Sequence, residues 1–359
     1  MTSRLWPGVV SEHLPTARLD VHMLHLGRTT GEPVLLLHGN VSSALFWQRT
    51  MLDLPERYRP IAVDLRGFGD TESKEVNARR GLSDYADDVA AVVDALDLTS
   101  AHLVGWSMGG GVALQALRDR PGRVASVTLV NPVSPYGFGG THGVDGQLND
   151  PAGAGSGGGC ANPDFVSRLA SGDRSGDVPT APRQVFLGAY VQAGFTIDDE
   201  AELDTYLDSM LSTRTGEGHY PGDVHTVDTW PGVAPGDRGV LNAMAPTHFR
   251  IDDLPDIDPK PPIGWIRGEG DVIVSDTSLF DLAHLGAIGA VDGWPGDDVA
   301  PAQPMIAQTR HVLDRYAAAG GSYTETVIAG AGHSPHIEQP KEFANALLAT
   351  LTAGRISGS

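Results

Sequence analysis

The stretch Leu103-Val104-Gly105-Trp106-Ser107-Met108-Gly109-Gly110-Gly111 constrains this chain more than any other. An apolar run leads into Gly-x-Ser-x-Gly, and small and apolar residues continue to about Asp119. The order is strand, sharp turn, helix. A serine on so tight a turn holds its hydroxyl above a sheet edge. Glycine at 105 and 109 leaves room where a side chain would strike neighbouring backbone. The helix that follows aims its unbonded N–H groups at the same spot, that of Met108 among them. Gly-x-Ser-x-Gly alone recurs by chance in glycine-rich chains; the flanking strand and helix give it weight here.

The rest of the pattern agrees with a strand–helix alternation. Thr16–Leu26 reads as an opening hairpin or strand pair. Pro33–Leu37 and Arg59–Val63 read as short strands, with helical spacing over Ala44–Leu54 between them. Leu82, Tyr85, Val89, Val92, Val93 and Leu96 form one face of an amphipathic helix. After the serine helix, Val124–Val130 is another strand. Such alternation gives an α/β fold: a mostly parallel central sheet with helices on both faces.

The pattern changes after Val130. From Asn131 to about Pro163 the chain is dense in Gly, Pro, Ser and Asn, which excludes regular elements there. A helical-looking section, about 182–211, and loop-like sequence over 219–235 follow. Residues 132–258 are therefore expected to be an inserted cap domain, with 1–131 and 259–359 forming the core. The sheet resumes at Pro262–Arg267. A smaller insertion covers Asp276–Pro304. A helix at about Ile306–Ala319, a strand at Tyr323–Ile328 and a closing helix at Pro340–Leu351 complete the chain.

Composition removes several function classes. The formal net charge is −20, from 45 acidic and 25 basic residues, with lysine only at 74, 260 and 341. Such a surface repels phosphate backbones and anionic lipid, so neither nucleic acid nor membrane is expected as a partner. The single cysteine, Cys160, excludes an intrachain disulfide and reads as an incidental thiol. The start, Met1-Thr-Ser-Arg-Leu-Trp-Pro, lacks an apolar core of signal-peptide length, and a cytoplasmic protein is expected. A homo-oligomer stays open.

Several polar residues fall at the carboxyl ends of strands, where parallel-sheet loops share one rim. They are His38-Gly39-Asn40, Asp271 after the strand 262–267, and His333 after the strand 323–328. Ser107, an acid and a histidine on one rim could form a nucleophile, an orienting carboxylate and a base. Glu269 and Asp276 compete with Asp271 for the acid role, and His336 competes with His333. Asn131 follows the strand after the serine helix and cannot supply a carboxylate. Asp64 reads as a turn anchor.

The set His38-Gly39, Asp64-x-Arg66-Gly67-x-Gly69, Gly105-x-Ser107-x-Gly109, Gly268-x-x-Asp271, and Gly332-His333 with Glu338-x-Pro340 resembles the α/β-hydrolase superfamily. The resemblance implies Ser107 as nucleophile, His333 as general base and Asp271 as its orienting acid. It also implies an oxyanion hole from the backbone N–H groups of Asn40 and Met108. Trp106, Tyr136 and Phe138 are candidate substrate-binding residues. No metal-ligand spacing and no phosphate-cradling loop is present, so neither metal nor organic cofactor is expected.

The expected activity is hydrolysis of a carboxylic ester or lactone of a bulky apolar small molecule. The likeness extends to lactonases acting on macrocyclic lactones such as zearalenone. Superfamily members that cleave C–C bonds and cofactor-free perhydrolases with Ser-Met-Gly-Gly are alternatives within the fold. A non-catalytic ligand-binding receptor is the alternative of another class.

Overall fold

A computed structural model describes residues 4–356. Met1–Ser3, the start of the segment read for a leader, lie outside them. The core is one eight-stranded sheet. Its strands are β1 (Val10–Pro15), β2 (Asp20–His25), β3 (Glu32–Leu37), β4 (Tyr58–Val63), β5 (Ala101–Trp106), β6 (Val124–Val130), β7 (Ile263–Gly268) and β8 (Tyr323–Ile328). The spatial order is β1-β2-β4-β3-β5-β6-β7-β8. The β1–β2 and β2–β4 pairs are antiparallel and all the others parallel.

Strand composition follows position in the sheet. β3 and β5 are buried at every residue, because helices cover both faces, and they read as mostly apolar runs in which Glu32 and His102 are the polar residues. β1 at the edge is almost wholly exposed and reads Val-Ser-Glu-His-Leu-Pro. That polar edge hides it from a search for alternation. The opening hairpin consequently starts earlier than expected, and Thr16–Leu19 is its turn, closed by Thr16 N–H to Leu19 C=O at 3.1 Å.

The helices include α1 (Gln48–Asp53), α2 (Ser83–Ala95), α3 (Met108–Asp119), α4 (Pro163–Ser171), α5 (Glu200–Leu211), α6 (Met305–Ala318) and α7 (Pro340–Ala353). Between β6 and β7, residues 131–262 add no strand to the large sheet. α4 stands where no helix was expected. Its signals are local: the Asn162 side chain accepts from Asp164 and Phe165 N–H, and Gly172 closes the helix at φ +67°.

The glycine-rich stretch, where no element was expected, holds a short ladder of Thr141–His142 with Gln147–Leu148 and a 3-10 turn at Gly158–Cys160, and it is packed. Gly137, Gly139, Gly140 and Gly153–Gly158 are buried. Buried glutamines from the far side of the sequence satisfy its backbone. Gln303 accepts from Gly139 N–H at 2.6 Å and donates to Gly137 C=O at 3.0 Å. Gln308 on α6 donates to Gly143 C=O at 3.0 Å. Among the described residues, no helix is long and apolar enough to cross a membrane.

Candidate active site

Ser107 joins β5 to α3 at φ +57° and ψ −119°, a conformation that costs a non-glycine residue roughly 1–3 kcal/mol. The surroundings hold it there. Ser107 N–H donates to Val130 C=O at 2.9 Å, and Ser107 C=O accepts from Gly110 and Val133 N–H at 2.9 and 3.0 Å. A Cβ at Gly105 would sit 2.1 Å from Gly109 C=O, and one at Gly109 would sit 2.4 Å from Leu37 C=O. Both glycines are therefore fixed by close backbone approach between β3, β5 and α3. A Cβ on Gly39 would lie 3.0 Å from the Ser107 Cβ, so the loop after β3 also passes close to the serine.

The loops after β7 and β8 meet beside it. His333 Nδ1 donates to Asp271 Oδ2 at 2.9 Å, with side chains 2% and 3% exposed respectively. An ionised carboxylate can only accept, so the contact fixes the ring tautomer and leaves Nε2 unprotonated in neutral His333. Asp271 is itself fixed, because Oδ1 accepts from Ile273 and Val274 N–H at 2.8 and 3.1 Å. Asn131, at the position that could not supply an acid, ties the loops together. Its Oδ1 accepts from Gly268 N–H and its Nδ2 donates to Gly332 C=O, each at 2.9 Å.

The competing residues are placed elsewhere. Glu269 is exposed. Asp276 Oδ1 accepts from Ile306 and Ala307 N–H at the start of α6. His336 is buried among Trp47, Trp106 and Phe343, with neither ring nitrogen hydrogen-bonded, and burial pushes its pKa down to about 3. His38 braces its own loop: Nδ1 donates to Gly39 C=O at 2.7 Å and Nε2 accepts from Leu65 N–H at 2.9 Å. Burial lowers its pKa to about 4, so it stays neutral. Asp64 accepts from Ala44 N–H, Asp70 N–H and His22, which is turn anchoring.

Ser107, His333, Asn40 and Phe138 line one cavity of about 380 Å³. Residues 131–262 supply one wall, with Phe165, Val185, Tyr190, Tyr220 and Met244. Residues after β7 supply the other, with Ile273, Val274, Leu282 and Leu285. The second wall includes part of the smaller insertion, which sequence reasoning had left without a role. Leu279 and Phe280 line the cavity yet are 45% and 41% exposed, which marks its mouth. Apart from His333 the lining holds no titratable side chain other than Tyr190, Tyr220 and Cys160 among the described residues, and burial raises all three pKa values. Asn40 Oδ1 is buried without a protein partner.

Two of the expected substrate-binding residues are corrected. Trp106 is wholly buried and off the cavity wall; its indole N–H donates to His333 C=O at 2.7 Å and its ring stacks on Phe46. A residue next to the elbow serine alternates to the opposite side of the strand, into the core. Tyr136 is also buried away from the cavity, with the Arg250 guanidinium 4.6 Å over its ring. Phe138, two residues on, is the member of that pair on the wall.

Comparison with known proteins agrees with this fold. A family model described as the alpha/beta hydrolase fold matches residues 32–157, and the chain has that fold. It is 43% identical over 114 residues to a provisionally named carbamate hydrolase, RutD, of Variovorax paradoxus, covering 32% of this chain and 42% of the relative. It is 44% identical over 111 residues to a non-heme chloroperoxidase of Streptomyces lividans, covering 30% and 40%. An uncharacterised carboxylesterase, nap, of Bacillus subtilis shares 30% over 133 residues, covering 37% and 44%. These matches span less than half the relatives' length. Among solved structures, an esterase of Exiguobacterium antarcticum superposes with a TM-score of 0.59 at 17% identity, covering 96% of this chain and 100% of that one. A bromoperoxidase of Bacillus anthracis gives 0.59 at 20%, again covering 96% and 100%.

Proposed function

We propose that the protein is a serine hydrolase that cleaves uncharged carboxylic esters or lactones of bulky apolar molecules through an acyl-enzyme on Ser107. One observation carries the reading: Ser107, on a turn held at positive φ, and the buried His333–Asp271 pair open into the same apolar cavity. His333 Nε2 takes the proton of Ser107 Oγ as it attacks the acyl carbon. The oxyanion forms where the N–H groups of Met108, in the first turn of α3, and Asn40 converge. His333 then protonates the leaving alkoxide, and a water activated by the same nitrogen releases the acid. Asp271 keeps the imidazole in the required tautomer and stabilises the imidazolium. Residues 132–258 act as a cap that selects the substrate.

The cavity supports the substrate class. A wall built mostly of aliphatic and aromatic side chains, with no Asp, Glu, Lys or Arg, offers no ionic partner for a desolvated substrate charge away from His333. A macrocyclic lactone such as zearalenone belongs to this neutral, apolar class. Perhydrolysis is the second reading, favoured by Ser107-Met108-Gly109-Gly110 together with the chloroperoxidase relative; peroxide would replace water at the acyl-enzyme.

The test is fluorophosphonate labelling followed by turnover of a graded panel of neutral and anionic esters and lactones, with and without peroxide. Labelling at Ser107 that abolishes turnover is expected. Labelling elsewhere, or turnover that survives it, overturns the assignment, and no turnover of any member despite complete labelling favours a binding protein.

A further inference from the structure

The insertion touches both sides of the reacting centre through one short segment. It begins at the last residue of a wide turn, Phe186–Tyr190. Tyr190 O–H donates to Asn40 C=O at 2.8 Å, on the loop after β3. Two residues on, Gln192 N–H donates to Glu338 Oε1 at 2.6 Å. The other oxygen of Glu338 accepts from Gly332 N–H at 2.8 Å and Ser334 N–H at 3.3 Å, the residues either side of His333. The approach is close: a Cβ at Gly332 would lie 2.7 Å from Gln192 N. The Tyr190 ring lines the cavity and meets His333 edge-on, with centroids 6.0 Å apart.

These loops need a tie. β3 and β8 are separated by β5, β6 and β7, so their axes lie roughly 19 Å apart at normal strand spacing. To converge over Ser107 the two loops must lean inward across three strands; Trp106 and Asn131 hold the His333 loop from the ends of β5 and β6, and residues 190–192 bridge it to the Asn40 loop. We propose that residues 190–192 are a strut that sets the separation of the Asn40 loop and the His333 loop, with Tyr190 and Glu338 as positioning residues for acyl transfer. The inference rests on the roles proposed above for Ser107, His333 and the Asn40 N–H. It makes the insertion a structural member of the reacting centre as well as a wall of the cavity.

The two residues act differently. Tyr190→Phe removes one hydroxyl and keeps the ring, so the Asn40 peptide loses its tether while the cavity keeps its shape. Glu338 accepts three N–H groups and donates nothing, which suits a carboxylate. In Glu338→Gln an amide nitrogen must face one of those donors, so one side of the strut is lost together with the negative charge. The titratable groups facing His333 are Asp271 from the loop after β7, Tyr190 from the insertion, and Glu338 and His336 from the segment after β8. Removing the Glu338 charge while Asp271 stays therefore disfavours the imidazolium.

The experiment counts sites with a fluorophosphonate and measures kcat and KM per labelled site for p-nitrophenyl esters across pH. Tyr190→Phe is expected to lower kcat about tenfold, the worth of one hydrogen bond, with KM within about twofold. Glu338→Gln should lower kcat by about ten- to a hundredfold and move the acid limb of kcat/KM to lower pH, whereas Glu338→Asp should leave that limb in place. A merely structural role would lower the number of labelled sites and the Tm yet leave kcat per site and the limb unchanged; that result overturns the strut. If Glu338→Gln does not fold, Tyr190→Phe alone decides. If wild-type labelling is not at Ser107, the functional reading falls and the strut falls with it. If labelling is at Ser107 and kcat per site in Tyr190→Phe equals wild type, the strut alone falls.

Discussion

The sheet rim and the insertion both depend on glycine, for opposite reasons. At the elbow, Gly105 and Gly109 have ordinary negative φ and are needed because backbone lies within 2.1–2.4 Å of any Cβ. In the stretch after β6, Gly137, Gly139, Gly140, Gly153, Gly155 and Gly157 all have φ between +67° and +83°. There glycine lets the chain reverse repeatedly while remaining buried. The first use brings three elements to one point and fixes the Ser107 side chain. The second builds a wall with little regular structure. The rim should therefore govern rate and the insertion should govern selection, except at Tyr190–Gln192, where the two are joined.

The largest effects test the rim. Ser107→Ala should reduce kcat by about 10⁶ with the fold intact, since the hydroxyl is at the cavity and not in the core. Steady-state kinetics with circular dichroism checks this, and more than a few per cent residual rate contradicts it. Asp271→Asn should cost about 10⁴ in kcat. Asp276→Asn should cost only a little Tm through its helix cap, and Glu269→Gln should change neither.

Next comes the insertion. Matched neutral and anionic esters should differ by about a hundredfold or more in kcat/KM in favour of the neutral one, because the cavity leaves a buried carboxylate unpaired. Phe138→Ala should raise KM for the bulky esters while leaving kcat nearly alone. A preference for small acetates or for anions would break the division of labour between the two regions.

A smaller effect concerns stability against pH. His38 and His336 are buried neutral, with pKa values lowered from 6.5 to about 4 and about 3. The unfolded chain therefore binds more protons than the native one between those values and 6.5. Stability is then lost as pH falls below 6.5, and the loss continues to about pH 3–4. Asp64, whose pKa is lowered by His22 against the opposing effect of burial, adds stability that is lost only below its unfolded value of 3.8. His336→Phe fits the aromatic nest and should flatten the Tm profile over pH 4–6.5 while activity persists. An unchanged profile, or loss of activity, would contradict the placement of the two histidines.

The rim was legible because each of its parts is a local pattern. β6 and β8 fall at the residues expected from sequence, and α3 ends at the expected Asp119. Asp271 and His333 could be named because parallel strands deliver their loops to one edge. Trp106 and Tyr136 were misplaced because sequence identifies an aromatic near the serine but not which way its strand or turn presents it. α4 was missed although Asn162-Pro163-Asp164 and Gly172 are ordinary start and stop signals; the glycine-rich run before it obscured them.

The sequence by itself determined the sheet, the elbow and the order serine, acid, histidine. These follow from hydrophobic period and from the space that glycine leaves, which act over a few residues. Only the tertiary structure decided which polar groups meet. It chose Asp271 over Asp276, set His333 on its carboxylate and left His336 among aromatic rings. It also brought residues 273–285 to the cavity, closed the glycine stretch with Gln303 and Gln308, and carried Tyr190 and Gln192 to loops about 150 residues away on either side. Contacts of that kind depend on how whole elements pack, and no short-range pattern in a chain encodes them.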